Sequence, residues 1–282
     1  MAHNIDLRQA MNAVSDVIQN RPRPLREFDQ IYMKAGDMVL QSEVVAKWSD
    51  NKRLAFIGDG DSISVCVAYL KCRDIIGYGP SKVTVFDFDE RIVQAINRFA
   101  DKERIENLDA RLYNCVDGLP SDLTKFDSFY TNPPWGQYNH GTSVNLFVQR
   151  GFEAVHYQGE GIVVIADDAD LPWTRMVLSQ VQTFACQKGF FVSRMMPQLH
   201  SYHLDDAAGL RSCNLMFRSL SDNKEDPASL AVSDQSVLSN FYGRDQDLAV
   251  QYVKEKKKVD YGKASEEEYI LQYRDSKNEH AT

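Results

Sequence analysis

The sequence predicts an α/β fold built on a doubly wound, mostly parallel sheet. Short apolar runs alternate with amphipathic segments from residue 54 onward, a pattern typical of strands joined by helices. The first apolar run also leads directly into Gly-Asp-Gly-Asp at 58–61, and the segment that follows carries apolar residues on one helical face, at 63, 67 and 70. A buried strand, a tight glycine turn and a helix in this order indicate a Rossmann-like unit.

The remaining elements follow from the same patterns. The predicted strands cover 54–57, 83–86, 110–113, 126–130, 161–165, 190–196 and 213–218. The predicted helices between them cover 61–72, 89–101, 143–157 and 173–187. This order is β-α-β-α with a final β-β pair, and right-handed crossovers place the ligand crevice at the carboxyl ends of the first strands.

Helical extensions are expected on both sides of this sheet. Residues 1–20 carry Met11, Val14 and Ile18 on one face of an amphipathic helix, which Pro22 ends. A second helix is expected at about 42–48, a polar linker at 221–235, and a charged helix-forming or disordered tail at 244–282. We therefore expect three parts: an N-terminal helical extension (1–50), a Rossmann-like catalytic domain (51–220), and a linker with a charged tail (221–282).

Composition and net charge limit the classes of partner that the protein is expected to bind. The 282 residues carry a formal net charge of −8, and without an extended basic face we do not expect the protein to bind nucleic acid. An acidic protein instead attracts polycations. The five cysteines form no C-x-x-C pair, and no metal site is predicted. No apolar run approaches the roughly 20 residues of a membrane span, and no signal sequence is visible, so we expect a cytoplasmic protein.

The glycine turn points to a particular ligand class. Gly58 and Gly60 would let the backbone turn and approach a ligand closely. Two carboxylates in the same turn, Asp59 and Asp61, would repel a phosphate but suit a ligand that is uncharged or cationic there. A nucleoside with a sulfonium, of the S-adenosylmethionine type, fits this description.

Further acids follow other predicted strands. Asp87 is expected to hold ribose hydroxyls, and Asp117 could accept the adenine amino group. Asp167 and Asp168 could help to hold a polyamine. Each of these acids could instead cap a helix, which is the favoured interpretation of Asp89.

The loop Asn-Pro-Pro-Trp after strand 126–130 is a second strong signal. Pro133 and Pro134 fix a rigid loop whose carbonyls can accept hydrogen bonds from an amine. Asn132 supplies a further acceptor, and Trp135 could pack against a substrate or attract a cation. The alternative is a plain turn followed by a core tryptophan.

Several of these motifs resemble those of a known protein family. The matching stretches are RPRP at 21–24, FDQ at 28–30, QSE at 41–43, GDGD at 58–61, VFDFDER at 85–91, FDSFYTNPPW at 126–135 and FVQRGF at 147–152. Over about residues 21–220 the chain resembles the branched-chain polyamine synthases, the N4-bis(aminopropyl)spermidine synthases. The resemblance implies a Rossmann-like (class I methyltransferase-like) aminopropyltransferase that uses decarboxylated S-adenosylmethionine, with Asp61 as its base. Gly60 and Asn132 depart from the family's G-D-D-D and D-P-P-Y motifs.

Three functions remain open. In aminopropyl transfer to a polyamine, Asp61 would take the proton of the attacking amine, Asp59 would bind the cationic arm, and Asn132 and the proline carbonyls would orient the nitrogen. The chemistry requires no metal, because the sulfonium is already the electrophile. The alternative is an S-adenosylmethionine-dependent N-methyltransferase acting through the Asn-Pro-Pro-Trp loop, and the third is a nucleoside-binding scaffold. A small polycationic amine is the expected partner, and a homodimer is possible.

Overall fold

The computed structural model describes residues 5–120, 123, 125–204, 207, 209–220, 228–257 and 268–274. The helices there are α1 (Leu7–Asn20), α2 (Ala35–Trp48), α3 (Ile63–Cys72), α4 (Glu90–Glu103), α5 (Thr142–Ala154), α6 (Pro172–Gln187) and the short α7 (Gln235–Leu238). The strands are β1 (Arg53–Ile57), β2 (Lys82–Asp87), β3 (Leu108–Leu112), β4 (Ser128–Thr131), β5 (Glu160–Ala166), β6 (Phe190–Ser201), β7 (Arg211–Ser219), β8 (Val250–Glu255) and β9 (Tyr269–Tyr273).

Seven strands form the central sheet, in the order β3-β2-β1-β4-β5-β7-β6. Each neighbouring pair from β3 to β5 is parallel, whereas β7 runs antiparallel between β5 and β6. The doubly wound, mostly parallel sheet and its final β-β pair are thus confirmed. The order of strand addition reverses between β1 and β4, and this is the point at which open α/β sheets bind ligands.

Both faces of the sheet are covered, which explains the continuous apolar runs in the sequence. In β1, Leu54 and Phe56 point into one core cluster, and Ala55 and Ile57 point into the other. Helices α1 to α4 pack over the first cluster, and α5 and α6 pack over the second. No helix of the described residues is long and apolar enough to cross a membrane.

The N-terminal helix uses a slightly different face from the predicted one. Its buried residues are Ala10, Ala13, Val14 and Val17, whereas Met11 is 38% exposed. The buried alanines shift the packed stripe by one position, because small side chains let α1 approach α2 and α3 closely. The helix therefore docks on its own domain.

The C-terminal segment differs more from expectation. A helical or disordered tail is wrong for its described part, because β8 and β9 form an antiparallel two-stranded sheet. A register shift between Val250 and Tyr252 interrupts the strand alternation. As a result Val250 and Val253 are both buried in a cluster with Phe28 and Phe241, and their three-residue spacing imitates a helix in the sequence. Residues 221–227, 258–267 and 275–282 lie outside the described part.

The second core layer depends on a close approach between α5 and β4. A Cβ atom on Gly151 of α5 would lie 2.2 Å from Cδ2 of Phe129 in β4. Gly36 in α2 instead faces open space, with nothing within 4 Å of its Cβ position. The two glycines are therefore a matched pair of helical positions with opposite steric requirements.

We predict that Gly151→Ala lowers the free energy of unfolding by about 1–3 kcal/mol, because it overpacks the α5–β4 contact. Gly36→Ala should raise it by about 0.5–1 kcal/mol, since alanine restricts the unfolded chain and favours the helix. Urea unfolding of both variants beside the wild type measures the two changes. Changes of the same sign would contradict the packing described here.

Candidate active site

One cleft lies at the carboxyl ends of β1, β2, β3 and β4, and it holds about 820 Å³ of space, its open mouth included. The segment 28–32 and Tyr242 also line it. The charged side chains of its lining are four carboxylates: Asp29, Asp59, Asp61 and Asp87. Among the described residues no lysine, arginine or histidine lines this cleft, so the charge that its side chains can carry is negative.

Asp61 lies at the centre of this arrangement and is 4% exposed. Its Oδ1 accepts the backbone N–H of Met33 at 2.7 Å, and its Oδ2 accepts Nδ2 of Asn132 at 2.8 Å. Burial raises the pKa of the Asp61 carboxyl, against the lowering effect of these hydrogen bonds and of Arg21. A carboxylate with a raised pKa is a stronger base than an ordinary aspartate.

The Asn-Pro-Pro-Trp loop forms the adjoining wall, and all four of its residues line the cleft. The Asn132 Nδ2 donates to Asp61, and the Asn132 side chain also hydrogen-bonds with Tyr202, so two buried partners hold the amide in place. Trp135 is largely buried and packs edge to face against Tyr202, with ring centroids 5.1 Å apart. The sequence predicted the position of the loop. The burial of Trp135 matches the alternative of a core tryptophan, although the residue also lines the cleft.

Tyr202 is held by a buried polar chain that extends away from the cleft. Its hydroxyl and the Ser212 Oγ are 2.7 Å apart, and Ser212 in turn contacts Nδ1 of His200 at 2.9 Å. The Nε2 of His200 contacts Oε1 of Gln41 at 2.8 Å. Burial lowers the pKa of His200 to about 4, so its ring is neutral and bridges a donor and an acceptor. This histidine is a structural residue that supports Tyr202 and does not itself line the cleft.

Asp59 and Asp87 order the turn that carries Asp61. The Asp59 carboxylate accepts the backbone N–H groups of Ile63 at 2.9 Å and Ser64 at 3.1 Å, at the N-terminus of α3. The Asp59 backbone N–H donates to Oδ2 of Asp87 at 2.9 Å, and Oδ1 of Asp87 accepts the backbone N–H of Asp89. Burial, followed by the charge of Asp89, raises the pKa of Asp87 to about 7. Asp59 therefore acts as a helix cap while it also lines the cleft.

The two glycines of the turn are not equivalent. Gly58 has φ +74°, a left-handed conformation that favours glycine, and its Cβ position lies 3.2 Å from the Phe147 ring. Gly60 has no such backbone requirement, and a Cβ there would meet only Tyr32 at an ordinary 3.5 Å. Both line the cleft, but the sharp turn needs Gly58 alone.

Three predicted site residues lie elsewhere. Asp117 does not line the cleft; its carboxylate accepts Nε2 of Gln251 at 2.6 Å. Asp167 accepts the backbone N–H of Gln198, and Asp168 accepts the backbone N–H of Asp170. Neither acid caps α6, whose N-terminus at Leu171 has no side-chain hydrogen bond, so the capping alternative that the sequence left open is wrong for both.

The residues directly after β3 that line the cleft are instead Tyr113, Asn114 and Cys115. The Asn114 Nδ2 donates to the backbone carbonyls of Val250 and Gln251, which ties this strand end to β8. Strand patterns could not reveal this contact, because it joins positions more than 130 residues apart.

Sequence reasoning missed Asp29 and an aromatic group beside it. Asp29 has φ +56°, and its carboxylate accepts the backbone N–H of Trp135. Burial raises the pKa of Asp29 to about 7, against the lowering effect of Arg26. Nearby, Phe28 packs edge to face on Phe88 and on Tyr242, with centroids 5.3 Å apart in both pairs. The FDQ stretch at 28–30 was the feature of the sequence that could have pointed to Asp29 and this aromatic group.

The chain is similar to proteins of one family along most of its length. Residues 9–277 match the model of the branched-chain polyamine synthase A C-terminal domain. An N(4)-bis(aminopropyl)spermidine synthase from Thermococcus kodakarensis is 27% identical over 154 residues, 54% of this chain and 41% of the relative. The enzyme of the same name from Methanocaldococcus jannaschii is 26% identical over 143 residues, 50% of this chain and 38% of the relative. The chain thus spans less than half the length of these curated relatives.

Solved structures share the fold. The branched-chain polyamine synthase from Thermus thermophilus, in complex with N4-aminopropylspermidine and 5'-methylthioadenosine, has a TM-score of 0.66 at 20% identity. The match covers 86% of this chain and 70% of that chain. A candidate RNA methyltransferase from Pyrococcus horikoshii has a TM-score of 0.54 at 13% identity, covering 76% of this chain and 99% of that chain. At these identities the likeness shows the fold alone, and it confirms the class I methyltransferase-like architecture.

We predict that Asp29→Asn makes the protein more stable relative to wild type at pH 8 than at pH 5. The folded-state pKa of Asp29 lies above its unfolded value, so the stability of the native protein is lost as pH rises towards 7. Asparagine removes this loss and keeps an acceptor for the Trp135 N–H. Urea unfolding at both pH values should show a change in the stability difference of about 1–3 kcal/mol.

Asp245→Asn is the matched control, because Asp245 is exposed and has the same left-handed backbone, with φ +57°. A pH-independent effect of Asp29→Asn, equal to that of the control, would contradict the raised pKa.

Proposed function

Since the chain belongs to the branched-chain polyamine synthase family, we propose that it is an aminopropyltransferase. It moves the aminopropyl group of decarboxylated S-adenosylmethionine to an amine nitrogen of a polyamine. The proposal extends to this chain the activity named for its relatives, and the geometry of the cleft supports it.

The lining of the cleft is the observation that carries the proposal. Four aspartates and no basic residue of the described part of the chain line this space. A polyamine carries several ammonium groups, and the decarboxylated donor carries both an ammonium and a sulfonium. Both substrates are therefore attracted, whereas a donor that keeps its α-carboxylate meets negative charge without a compensating cation.

The two halves of the cleft suit the two substrates. The turn after β1, Asp87 and Phe88 after β2, and Cys115 after β3 are the positions at which this sheet topology takes a nucleoside. Asp29 accepts the backbone N–H of Trp135 and so adjoins the Asn-Pro-Pro-Trp loop, and there a cationic amine would find acceptors. Asp61 lies between the two groups.

The reaction itself is a displacement at carbon. A neutral amine nitrogen attacks the methylene carbon next to the sulfonium; the new N–C bond forms while the C–S bond breaks, and methylthioadenosine leaves as a neutral thioether. The attacking nitrogen becomes positive and loses its proton to Asp61, whose raised pKa favours that transfer. The protein must also hold nitrogen, carbon and sulfur in line, which the rigid loop favours.

Asn132 would select the correct orientation of the amine. Its amide nitrogen is committed to Asp61, so its amide oxygen can accept an N–H from the substrate. Pro133 and Pro134 lack backbone N–H groups, and their carbonyls add acceptors without adding donors that would compete for the nitrogen lone pair.

N-methyl transfer from S-adenosylmethionine to an amino group is the second candidate. The Asn-Pro-Pro-Trp loop favours it, because an asparagine side chain and a proline carbonyl can hold any amine that attacks a sulfonium methyl group. The product separates the two functions, since methyl transfer releases S-adenosylhomocysteine and aminopropyl transfer releases methylthioadenosine. A homodimer, a cytoplasmic location and the absence of nucleic-acid binding stay predictions.

We predict that Asp61→Asn lowers the rate of methylthioadenosine release from decarboxylated S-adenosylmethionine and spermidine by about 10²–10⁴-fold, because the general base is lost. Asp117→Asn is the control, since that carboxylate lies outside the cleft. Calorimetric binding of methylthioadenosine to both variants checks that the nucleoside site is intact. Retention of more than a tenth of the wild-type rate by Asp61→Asn would exclude Asp61 as the base.

We also predict that the decarboxylated donor binds at least about tenfold more tightly than S-adenosylmethionine, a difference of about 1.4 kcal/mol. The physical reason is repulsion between the α-carboxylate and the acidic lining. Isothermal titration calorimetry with both donors measures the ratio. Equal or tighter binding of S-adenosylmethionine would favour methyl transfer.

A further inference from the structure

Arg21 is a buried cation directly behind the turn that carries Asp61. The side chain is 8% exposed, and its Nη1 donates to the backbone carbonyl of Asp61 at 3.0 Å. The guanidinium carbon lies 4.0 Å from the centroid of the Tyr32 ring, and Nη1 contacts Sδ of Met38 at 3.5 Å. Within the described part of the chain, none of the ion pairs found involves Arg21.

A buried guanidinium without a carboxylate in contact is costly, because the protein interior solvates a charge poorly. A carbonyl, a thioether and an aromatic face compensate only part of this cost. The acid on which the charge of Arg21 acts is Asp61, and Arg21 lowers the pKa of that carboxyl. The placement of Arg21 is therefore explained if its charge is matched by an ionised carboxylate in the cleft.

We infer that Arg21 is a positioning residue that keeps Asp61 ionised and holds its turn in place, so that Asp61 can accept a proton. This inference rests on the proposed function, in which Asp61 is the base. Arg21 never contacts the substrates, because it lies behind the turn and does not line the cleft. Its influence passes through the Asp61 backbone and through the electric field.

The other titratable groups that face Asp61 do not supply a positive charge. Asp59 adjoins it in the turn and acts in the opposite sense. Tyr32 from the N-terminal segment, Tyr130 from β4 and Tyr202 after β6 are buried, and burial raises the pKa of each phenol. Burial raises the pKa of Cys66 in α3 to about 12. All four are neutral near pH 7, so Arg21 is the cation that acts on Asp61 among the described residues.

The test uses three variants and the pH dependence of kcat/KM for aminopropyl transfer. Arg21→Gln removes the charge but keeps an N–H donor for the Asp61 carbonyl, Arg21→Lys keeps the charge, and Arg23→Gln is a control at an exposed position two residues away. The acid limb of the kcat/KM profile reports the pKa of the catalytic base in the free enzyme. It should move to higher pH by about one unit in Arg21→Gln, and stay within about 0.3 unit of wild type in the other two. A uniform fall in rate without a shift of the limb would leave Arg21 a structural residue and overturn the inference.

A second readout does not depend on activity. The ¹³C NMR titration of the Asp61 carboxyl, assigned by its loss in Asp61→Asn, should show the same upward shift in Arg21→Gln and none in Arg21→Lys. If no amine yields methylthioadenosine with the wild-type protein, the proposed function fails while this titration still decides the role of Arg21. If Arg21→Gln does not fold, a shift of about one unit in Arg21→Lys, which retains the charge, would contradict the inference.

Discussion

The carboxylate of Asp61 joins three parts of the chain that are distant in sequence. One oxygen accepts the backbone of the N-terminal segment at Met33, and the other accepts the side chain of Asn132 after β4. The residue itself lies in the turn after β1, which Asp59 and Asp87 order in turn. The cleft exists as a defined shape because these segments converge on one buried acid.

This constraint explains why so many polar groups are buried around the cleft. Burying a carboxylate is unfavourable unless hydrogen bonds or cations compensate it. The backbone N–H groups at the start of α3 compensate Asp59, and those of Asp59 and Asp89 compensate Asp87. The raised pKa values of Asp29 and Asp87 show that compensation is incomplete. The native protein therefore loses stability as the pH rises towards neutrality, and over the same pH range the acids of the cleft gain the negative charge that attracts cations.

Local patterns predicted the elements that the core dictates. The apolar strands and the amphipathic helices follow from burial on both faces of the sheet, and Asp61 and Asn132 were predicted together because carboxyl ends of parallel strands meet at one edge. The sequence-based predictions that failed depended on contacts between distant parts of the chain or on small residues. Asp117 is drawn to Gln251 from the C-terminal sheet, and the strand β8 is masked in the sequence by a register shift. Asp29 was missed because its role depends on a left-handed backbone and a contact with Trp135.

The central claim is that Asp61 accepts the proton of the attacking amine. A crystal structure of the protein with methylthioadenosine and an aminopropylated polyamine would test it most directly, through the distance between the Asp61 carboxylate and the nitrogen that carries the transferred group. The account predicts a separation within hydrogen-bond reach, about 2.6–3.2 Å or one bridging water. A nitrogen that instead contacts only Asp29 or solvent, with Asp61 still bonded to Met33 and Asn132 alone, would contradict it.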